Sequence, residues 1–316
     1  MEAQIFNNRE LNKNEWDDFI QKSTQGSPFT LSWFMDIVES DWHAIILTNK
    51  NEWQAVMPIQ LKSKFLMRYS LQPLFTKYWG ILLRDTNFKN VYEEYHWKKK
   101  TVKKIIEEIP GNIRSFSYLF SPDFDYPMPF HWKKYEMHVR YTYIIDLSQP
   151  LIEIENNFKR TVSAYIRRST RDNIAITEES NMQKMMVLLE RNRQAGEDFA
   201  KEITDHKVIF EKILSESRSQ GKQYCITSRD PDNNLLCGAI FLDFRDTRYY
   251  FLGLVDPKYR KSDHMNRIIY EGIRTAPSRI RYFDFFGSMI EGVETFIRSF
   301  GARPVPYLQI SKTNLI

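Results

Sequence analysis

Residues 248–310 decide the fold, and they read RYYFLGLVDPKYRKSDHMNRIIYEGIRTAPSRIRYFDFFGSMIEGVETFIRSFGARPVPYLQI. Tyr249–Val255 is aromatic and β-branched, which predicts a strand. Asp256-Pro257 ends that strand, because proline lacks an amide proton and restricts the residue before it. Apolar residues then recur at helical spacing over Met265–Ala276, and Pro277 stops the helix.

The second part of this stretch repeats the alternation. Arg281–Phe285 predicts a second strand, and Glu291–Phe300 predicts a second helix with Gly301 at its C-terminal cap. Val305–Ile310 predicts the last strand. The order is therefore strand, helix, strand, helix, strand.

This order is similar to the C-terminal half of the GCN5-related N-acetyltransferase (GNAT) fold. VDPKYRK (255–261) followed by RIIYEGI (267–273) resembles the strand-to-helix turn that receives a CoA pyrophosphate in that superfamily. FDFFGS (283–288), then FIRSFGA (296–302) and PVPY (304–307), resembles more closely the FemAB-like branch and its BioF2-like acyltransferase relatives. In that branch a duplicated fold transfers aminoacyl or acyl groups onto amines. The resemblance implies an α+β chain of tandem GNAT-like domains, with mixed central sheets flanked by helices.

The turn departs from the pattern of CoA-using members. Those members carry glycines here, so that bare backbone amides approach the pyrophosphate. Residues 260–265 read RKSDHM, which contains no glycine, and Asp263 places a negative charge where phosphate would lie. The donor is therefore an acyl-CoA or a bulkier molecule such as the aminoacyl-tRNA that FemAB-type transferases use; alternatively, the segment is simply a turn.

Length and composition describe a globular protein. A chain of 316 residues can form two domains, and its 42% hydrophobic and 27% charged residues fit a packed, soluble protein. A formal charge of +5 permits an anionic partner without requiring one.

Cys225 and Cys237 are expected to be buried thiols, with one hairpin disulfide as the alternative. The polar opening and the lack of a long apolar run predict a cytoplasmic protein without a membrane span.

The order of elements suggests an old duplication. The first half contains helices, a strand pair, further strands and a helix (88–109), and the set from Tyr141 onward has a similar order of elements. The similarity lies in the order only, and chance would also produce it. That second set includes one long helix over Ile152–Arg171. Turn-forming residues near 127–134 place a boundary there. We expect a non-catalytic domain over residues 1–133 and a domain with the acyl-transfer cleft over 134–316.

Acyl transfer to an amine needs a base, a donor for the carbonyl oxygen, and close positioning of both substrates. The resemblance implies that backbone amides around Gly253 donate hydrogen bonds to the carbonyl oxygen of the acyl donor; the alternative is a glycine that is needed only for packing. Two residues are candidates for accepting the amine proton: Asp284, within a run of aromatic residues, and Ser288, after Gly287. The alternatives are structural roles, with Asp284 as an ion-paired carboxylate and Ser288 as a helix cap. Tyr250 is a candidate proton donor to the leaving group, with simple packing as its alternative.

Basic residues suggest where substrates bind. Arg160, Arg167 and Arg171 share one face of the helix over 152–171, and a basic face either binds phosphates or is merely solvated. The resemblance implies substrate contacts for Arg260 and for Lys77 and Tyr78, in the segment QPLFTKYWG (72–80). Lysines between positions 98 and 104 form another basic cluster, for which a solvated helix face is the simpler interpretation.

Motifs of other enzyme classes are missing from the sequence. The six histidines show no metal-ligand spacing, so we expect no metal, and no phosphate-binding loop or serine-hydrolase elbow occurs. The leading hypothesis is an N-acyltransferase acting by direct attack in a ternary complex, without a tightly bound cofactor. Its acceptor would be a small-molecule or peptide amine, and tRNA a potential partner. The alternatives are a non-catalytic binding or scaffolding protein with a degenerate GNAT fold, and an RNA-binding module.

Overall fold

The computed structural model describes residues 1–64, 67–260 and 263–313. The chain folds into two compact units. The first unit comprises Met1–Arg140 and Pro306–Ile316, and the second comprises Tyr141–Val305. The division lies at 140/141, whereas the sequence suggested 133/134, and the C-terminal residues group with the first unit.

The described strands and helices alternate in a mixed α+β chain, which confirms the predicted fold class. The strands are β1 Glu2–Asn7, β2 Trp42–Asn49, β3 Glu52–Gln60, β4 Lys62–Lys64, β5 Met67–Leu71, β6 Leu82–Leu83, β7 Ile113–Leu119, β8 Glu136–Asp146, β9 Ala175–Glu178, β10 Gln223–Arg229, β11 Leu235–Phe244, β12 Thr247–Val255, β13 Tyr282–Asp284 and β14 Arg303–Thr313. The helices are α1 Lys13–Lys22, α2 Ser32–Val38, α3 Val91–Glu108, α4 Met128–Trp132, α5 Leu151–Asn156, α6 Arg160–Arg171, α7 Gln183–Gln194, α8 Asp198–Asp205, α9 Lys207–Ser219, α10 His264–Arg274 and α11 Glu291–Arg298.

In the first unit, β1, β2, β3 and β6 form an antiparallel sheet in that order. A second set of strands pairs β4 with β5, β5 with β7 and β7 with β14, and only the β5–β7 pair is parallel. α3 begins where the Asn90 side chain accepts a hydrogen bond from the amide of Glu93 (2.9 Å). Its buried face contains Val102, Ile105 and Ile106, at the spacing that an amphipathic helix requires.

In the second unit, the strand order is β8-β13-β12-β11-β10-β9. β12 pairs antiparallel with β11 and parallel with β13. α10 packs on β11, so that Ile268 and Ile269 join Phe241, Phe283 and Phe300 in one fully buried cluster. Burial of each such side chain contributes ~1.5–3 kcal/mol, so this cluster dominates the stability of the unit.

A buried ion pair anchors the start of β12. Arg248 is 2% exposed, and its Nε and Nη2 donate to the two carboxylate oxygens of Asp243 (2.8 and 2.9 Å). Its Nη1 donates to the Gly272 carbonyl of α10 (3.0 Å). The guanidinium also lies over the Tyr224 ring, 4.6 Å from its centroid. One side chain thereby ties β12, β11, β10 and α10 together.

The long helix predicted over 152–171 is two helices, α5 and α6. Residues 157–159 leave the helical path because the chain near Gly301 packs against them: the Lys159 amide donates to the Ser299 carbonyl (2.7 Å). Phe158 is 8% exposed and packs against Phe300, with ring centroids 5.5 Å apart. The break is therefore a tertiary effect that helical periodicity does not reveal.

Both cysteines are buried free thiols, and burial raises the pKa of each to about 12. They are not cross-strand partners, since Cys225 lies opposite Ile240 and Cys237 opposite Ser228. Among the described residues, no helix combines the length and the apolar composition that crossing a membrane would require.

Candidate active site

β12 and β13 separate after three residues, which leaves one edge of β12 open. Their parallel pairing runs from Thr247↔Tyr282 to Tyr249↔Asp284. β12 continues to Val255, whereas β13 ends at Asp284. Among the described residues, the second half of β12 has ladder partners only on β11. The second half of β12 is therefore splayed away from β13.

An irregular register in β12 determines which side chains face this region. Tyr250 lies opposite Phe241, Leu252 opposite Ile240 and Gly253 opposite Ala239, so the register shifts at Phe251. Residues 239 and 241 share a face of β11 because strand side chains alternate. Tyr250 and Gly253, their partners, therefore share that face although they are three residues apart, as a β-bulge allows.

The open edge presents backbone amides. The Asp256 amide donates to the Leu236 carbonyl of β11 (2.8 Å). Alternate residues of an antiparallel strand direct their polar groups to the same neighbour, so residues 254 and 252 also face β11. The amides of Gly253 and Val255 consequently point to the opposite side, away from β11. Consistent with this, the Val255 carbonyl accepts from the side-chain amide of Asn192 on α7 (2.9 Å) rather than from β11.

Tyr250 explains why residue 253 is a glycine. A Cβ atom at position 253 would lie 1.6 Å from the Tyr250 hydroxyl oxygen, so the phenol extends along the strand over Gly253. The ring packs between Phe241 and Phe285, with centroids 5.8 and 6.2 Å away. Burial, and then the neighbouring Cys237, raise the pKa of Tyr250 well above its usual value. The hydroxyl is therefore neutral, and it has no hydrogen-bond partner within the described ranges.

Asp284 lies at the end of β13, beside Tyr249. It is 3% exposed, and its Oδ1 accepts from the Thr142 hydroxyl and from the Phe286 amide (2.7 Å). These bonds support a tight turn in which Phe286 and Gly287 both have positive φ, +65° and +63°. Gly287 is required there, because a Cβ would lie 2.3 Å from the Tyr141 carbonyl oxygen.

Ser288 follows this turn and is partly exposed. Its Oγ accepts from the Ile290 amide (3.1 Å), immediately before α11 begins at Glu291. Asp284 and Ser288 therefore both help to order the loop that borders the open edge.

The turn between β12 and α10 is tied to α7 and α8 by ion pairs. Asp256 is 2% exposed and pairs with Arg191 (2.5 Å). Arg260, expected to contact substrate, pairs with Glu197 (2.5 Å) and donates to the Asn192 side-chain oxygen (3.3 Å). The structure thus gives this arginine intramolecular anionic and polar partners. Lys261 and Ser262 of the same predicted turn lie outside the described residues.

Sequence reasoning missed a tyrosine–histidine pair at the start of α10. The Tyr165 hydroxyl of α6 is hydrogen-bonded to Nδ1 of His264. Burial raises the pKa of Tyr165 to about 12, whereas burial and then Arg168 lower the pKa of His264. Arg168 also lies over the Tyr165 ring, 4.9 Å from its centroid. Nothing local in the sequence links Tyr165 to a histidine 99 residues away.

The other predicted basic residues of the second unit lie on α6. Arg160, Arg167 and Arg171 are exposed, and Arg171 forms an ion pair with its neighbour Asp172 (3.3 Å). Arg160 and Arg167 have no ion-pair partner among the described residues. α6 therefore presents basic groups to solvent at positions that the sequence singled out.

Lys77 and Tyr78 are buried in the first unit, at 4% and 3% exposure. The Lys77 ammonium lies 5.1 Å from the ring centroid of Tyr78 and 4.9 Å from that of Tyr307. The two rings meet edge to face, 5.4 Å apart. The structure thus places these residues in an aromatic cluster.

Within residues 1–64, 67–260 and 263–313, no group of three or more His, Cys, Asp or Glu side chains is arranged to hold a metal ion. The chain matches no family model, and it has no match among curated proteins.

Solved structures, in contrast, match over nearly the whole chain. FemX is 12% identical with a TM-score of 0.67, covering 98% of this chain and 97% of its own. A tandem GNAT protein from the clavulanic acid biosynthesis pathway is 8% identical with a TM-score of 0.58, covering 99% and 98%. The C-terminal domain of a putative lysylphosphatidylglycerol synthetase from Agrobacterium fabrum is 11% identical with a TM-score of 0.52, covering 97% and 93%.

At these identities the similarity establishes the fold. The resemblance to the FemAB-like branch that the sequence predicted is confirmed at the level of the fold, because FemX and the tandem GNAT protein share this fold. The chain is therefore similar in fold to FemX and to the tandem GNAT protein over nearly its whole length.

Proposed function

We propose that the second unit transfers an acyl or aminoacyl group from an activated donor to an amine at the open edge of β12. One observation carries the proposal: the amides of Gly253 and Val255 face away from β11 beside the neutral hydroxyl of Tyr250. A backbone donor without a strand partner and a nearby acid are two of the groups that an acyl-transfer site needs.

In the proposed reaction, the amine nitrogen attacks the donor carbonyl carbon, and the carbonyl oxygen becomes an oxyanion that accepts a hydrogen bond from the Gly253 amide. The attacking nitrogen gives a proton to Asp284, directly or through Ser288. The bond to the leaving group then breaks, and the leaving oxygen or sulfur takes the proton of Tyr250. Asp284 and Tyr250 recover their initial states by proton exchange with water. The two substrates react directly, so no covalent intermediate with the protein forms.

The donor is proposed to be an acyl-CoA or an aminoacyl-tRNA. Arg160, Arg167 and Arg171 would contact its phosphates, since their exposed guanidinium groups lie on one helix. We also propose substrate contacts for Arg260, Lys77 and Tyr78. Their present intramolecular partners mean that such contacts would require those side chains to exchange partners.

A non-catalytic binding role is the second candidate. It is favoured by the turn after β12, where Asp256 and Arg260 are already paired with Arg191 and Glu197 and no glycine opens the backbone. A donor that stabilises the native state raises its melting temperature. Thermal unfolding with acetyl-CoA, longer acyl-CoAs and aminoacyl-tRNA therefore separates the candidates: a shift with one donor class supports transfer, and no shift with any of them contradicts it.

Asp284→Asn tests the chemical role of the carboxylate. Asparagine keeps an oxygen for the bonds from Thr142 and Phe286 but removes the base, so donor turnover in the presence of an amine should fall by about 10²-fold or more. The unfolding midpoint should change little. Thr142→Val, which removes one donor to Asp284 and keeps the carboxylate, is the matched control. Parallel losses of turnover and stability in Asp284→Asn would assign the residue a structural role only.

A further inference from the structure

A surface of α3 and α4 in the first unit combines lysines with exposed aromatic and aliphatic side chains. Along α3, positions 92, 96, 99 and 103 form one stripe at helical spacing, occupied by Tyr92, His96, Lys99 and Lys103. On α4, Met128 and Trp132 are one turn apart. Tyr92 is 76%, Trp132 43% and Met128 40% exposed. We call this set, together with Lys100, the lysine–aromatic face.

The lysines of this face lack anionic partners. Lys99 and Lys103 both approach the exposed Trp132 indole, with ammonium nitrogens 5.1 and 5.6 Å from its centroid. Neither they nor Lys100 has an ion pair among the residues that the structure describes. Two like charges beside one indole, with no carboxylate between them, are stabilised by an anionic partner.

Two other lysines of α3 already have acidic partners. Lys98 pairs with Glu94 (2.5 Å) and Asp125 (2.7 Å), and Lys104 lies 3.5 Å from Glu107. Glu93 and Glu108, at the two ends of α3, have no ion pair among the residues that the structure describes. Lys133 and Lys134, both exposed, follow α4 and add positive charge. The face is therefore positive where its apolar side chains are exposed.

We propose that the lysine–aromatic face docks on the surface of an anionic lipid bilayer. Tryptophan and tyrosine favour the headgroup region, and lysine ammonium groups remain among lipid phosphates while apolar side chains enter the boundary. Met128, and Val91 at 67% exposure, contribute aliphatic surface for such entry. The proposal is independent of the acyl-transfer function.

Two features favour lipid over RNA. The lysine ammonium groups lie over the Trp132 ring, where a nucleobase would need to stack. In addition, α3 and α4 contain no arginine, the residue that best recognises nucleic-acid phosphates and bases. Lysines, by contrast, need no planar geometry to bind a diffuse layer of lipid phosphates.

Vesicle co-sedimentation of the full chain tests the proposal. The protein should pellet with phosphatidylcholine vesicles that contain phosphatidylglycerol, and not with phosphatidylcholine alone. Binding should weaken with added salt, because surface electrostatics are screened. Equal pelleting with both vesicle types, or none with either, would overturn the proposal.

Variants identify the surface. Lys99→Glu with Lys103→Glu should lower the vesicle partition coefficient by about 30-fold or more, since each juxtamembrane lysine contributes roughly a fivefold effect. Trp132→Ala should also lower the vesicle partition coefficient, at an unchanged unfolding midpoint.

The control Lys201→Glu with Lys212→Glu makes the same change in net charge on exposed helices of the second unit and should retain binding. An equal loss of vesicle binding in the control would show that only net charge matters and would contradict the proposed face. Binding of single-stranded RNA through Lys99 and Lys103, without binding of vesicles, would also contradict it.

Discussion

Among the described residues, the first unit has a parallel strand pair in β5–β7 and the second in β12–β13, and the two pairs end differently. In the first unit, β5 and β7 pair from Arg68↔Ile113 to Leu71↔Ser117. Gln72 then closes the gap: its Oε1 accepts from the Leu119 amide (2.7 Å), and its Nε2 donates to the Thr76 carbonyl (3.0 Å).

In the second unit, β12 and β13 separate at Tyr249↔Asp284, and aromatic rings meet across the gap: Tyr250 with Phe285 (6.2 Å) and Phe251 with Phe286 (6.1 Å). Gly253 leaves room for the Tyr250 phenol along the open edge. The comparison shows that side-chain hydrogen bonds close the end of one parallel pair, whereas beyond the end of the other the amides of Gly253 and Val255 have no described ladder partner on β13. It also supports the proposal that the second unit carries the reaction.

The largest expected effect concerns the anchor of the open edge. Arg248→Met leaves Asp243 buried with only the more distant Arg279 (3.5 Å), so it should lower the free energy of unfolding by ~3–5 kcal/mol. Denaturant unfolding measures this, and hydrogen exchange should place the loss in the second unit. Arg279→Met, which removes the half-exposed partner, is the control and should cost far less. Similar losses in both variants would mean that the buried pair is not the anchor.

Gly253→Ala should have the next largest effect. The new methyl would clash with the Tyr250 hydroxyl, and overpacking of this kind costs ~1–3 kcal/mol in the free energy of unfolding. Adding Tyr250→Ala removes the clash, so the double variant should be more stable than the sum of the single effects predicts. Strict additivity would show that the phenol does not restrict position 253.

Gln72→Ala tests the closed end of the first unit. Removing both side-chain hydrogen bonds should cost ~1–2 kcal/mol in the free energy of unfolding, and hydrogen exchange at Leu119 should accelerate. Gln4→Ala, on the exposed edge strand β1, is the control and should be near neutral. If the Leu119 amide stays fully protected in Gln72→Ala, Gln72 does not close this end.

The smallest effect is a pH dependence at the start of α10. Burial and the Arg168 charge lower the pKa of His264 in the folded chain, although Asp230 and Asp263 oppose this shift. Below the ordinary value of 6.5, the unfolded chain binds a proton that the folded chain resists, so stability should fall as the pH drops through that range.

A pH series of denaturant unfolding measures this effect. His264→Gln retains an acceptor for Tyr165 without titrating, so its stability should vary less with pH between 5 and 7, an interval around the ordinary imidazole value of about 6.5. An unchanged profile in His264→Gln would show that another group causes the dependence.

Local patterns in the sequence predicted the strand from Tyr249 to Val255 and the helix that follows it, whereas the family resemblance implied the α+β class. Both the strand and the helix depend on residues close together in the chain: β-branched and aromatic runs, apolar spacing of a helix, and proline as a stop. The resemblance carried by the last third of the chain added the expectation of an acyl-transfer cleft in the second domain.

The tertiary structure decided what local patterns do not encode. The bulge at Phe251, which brings Tyr250 over Gly253, depends on the register with β11, and the division of residues 152–171 into α5 and α6 depends on contacts near residue 301. Tyr165 meets His264 only because two helices pack on one sheet. The physical reason is that periodicity records which face of an element is buried, whereas register and packing select the partner that buries it.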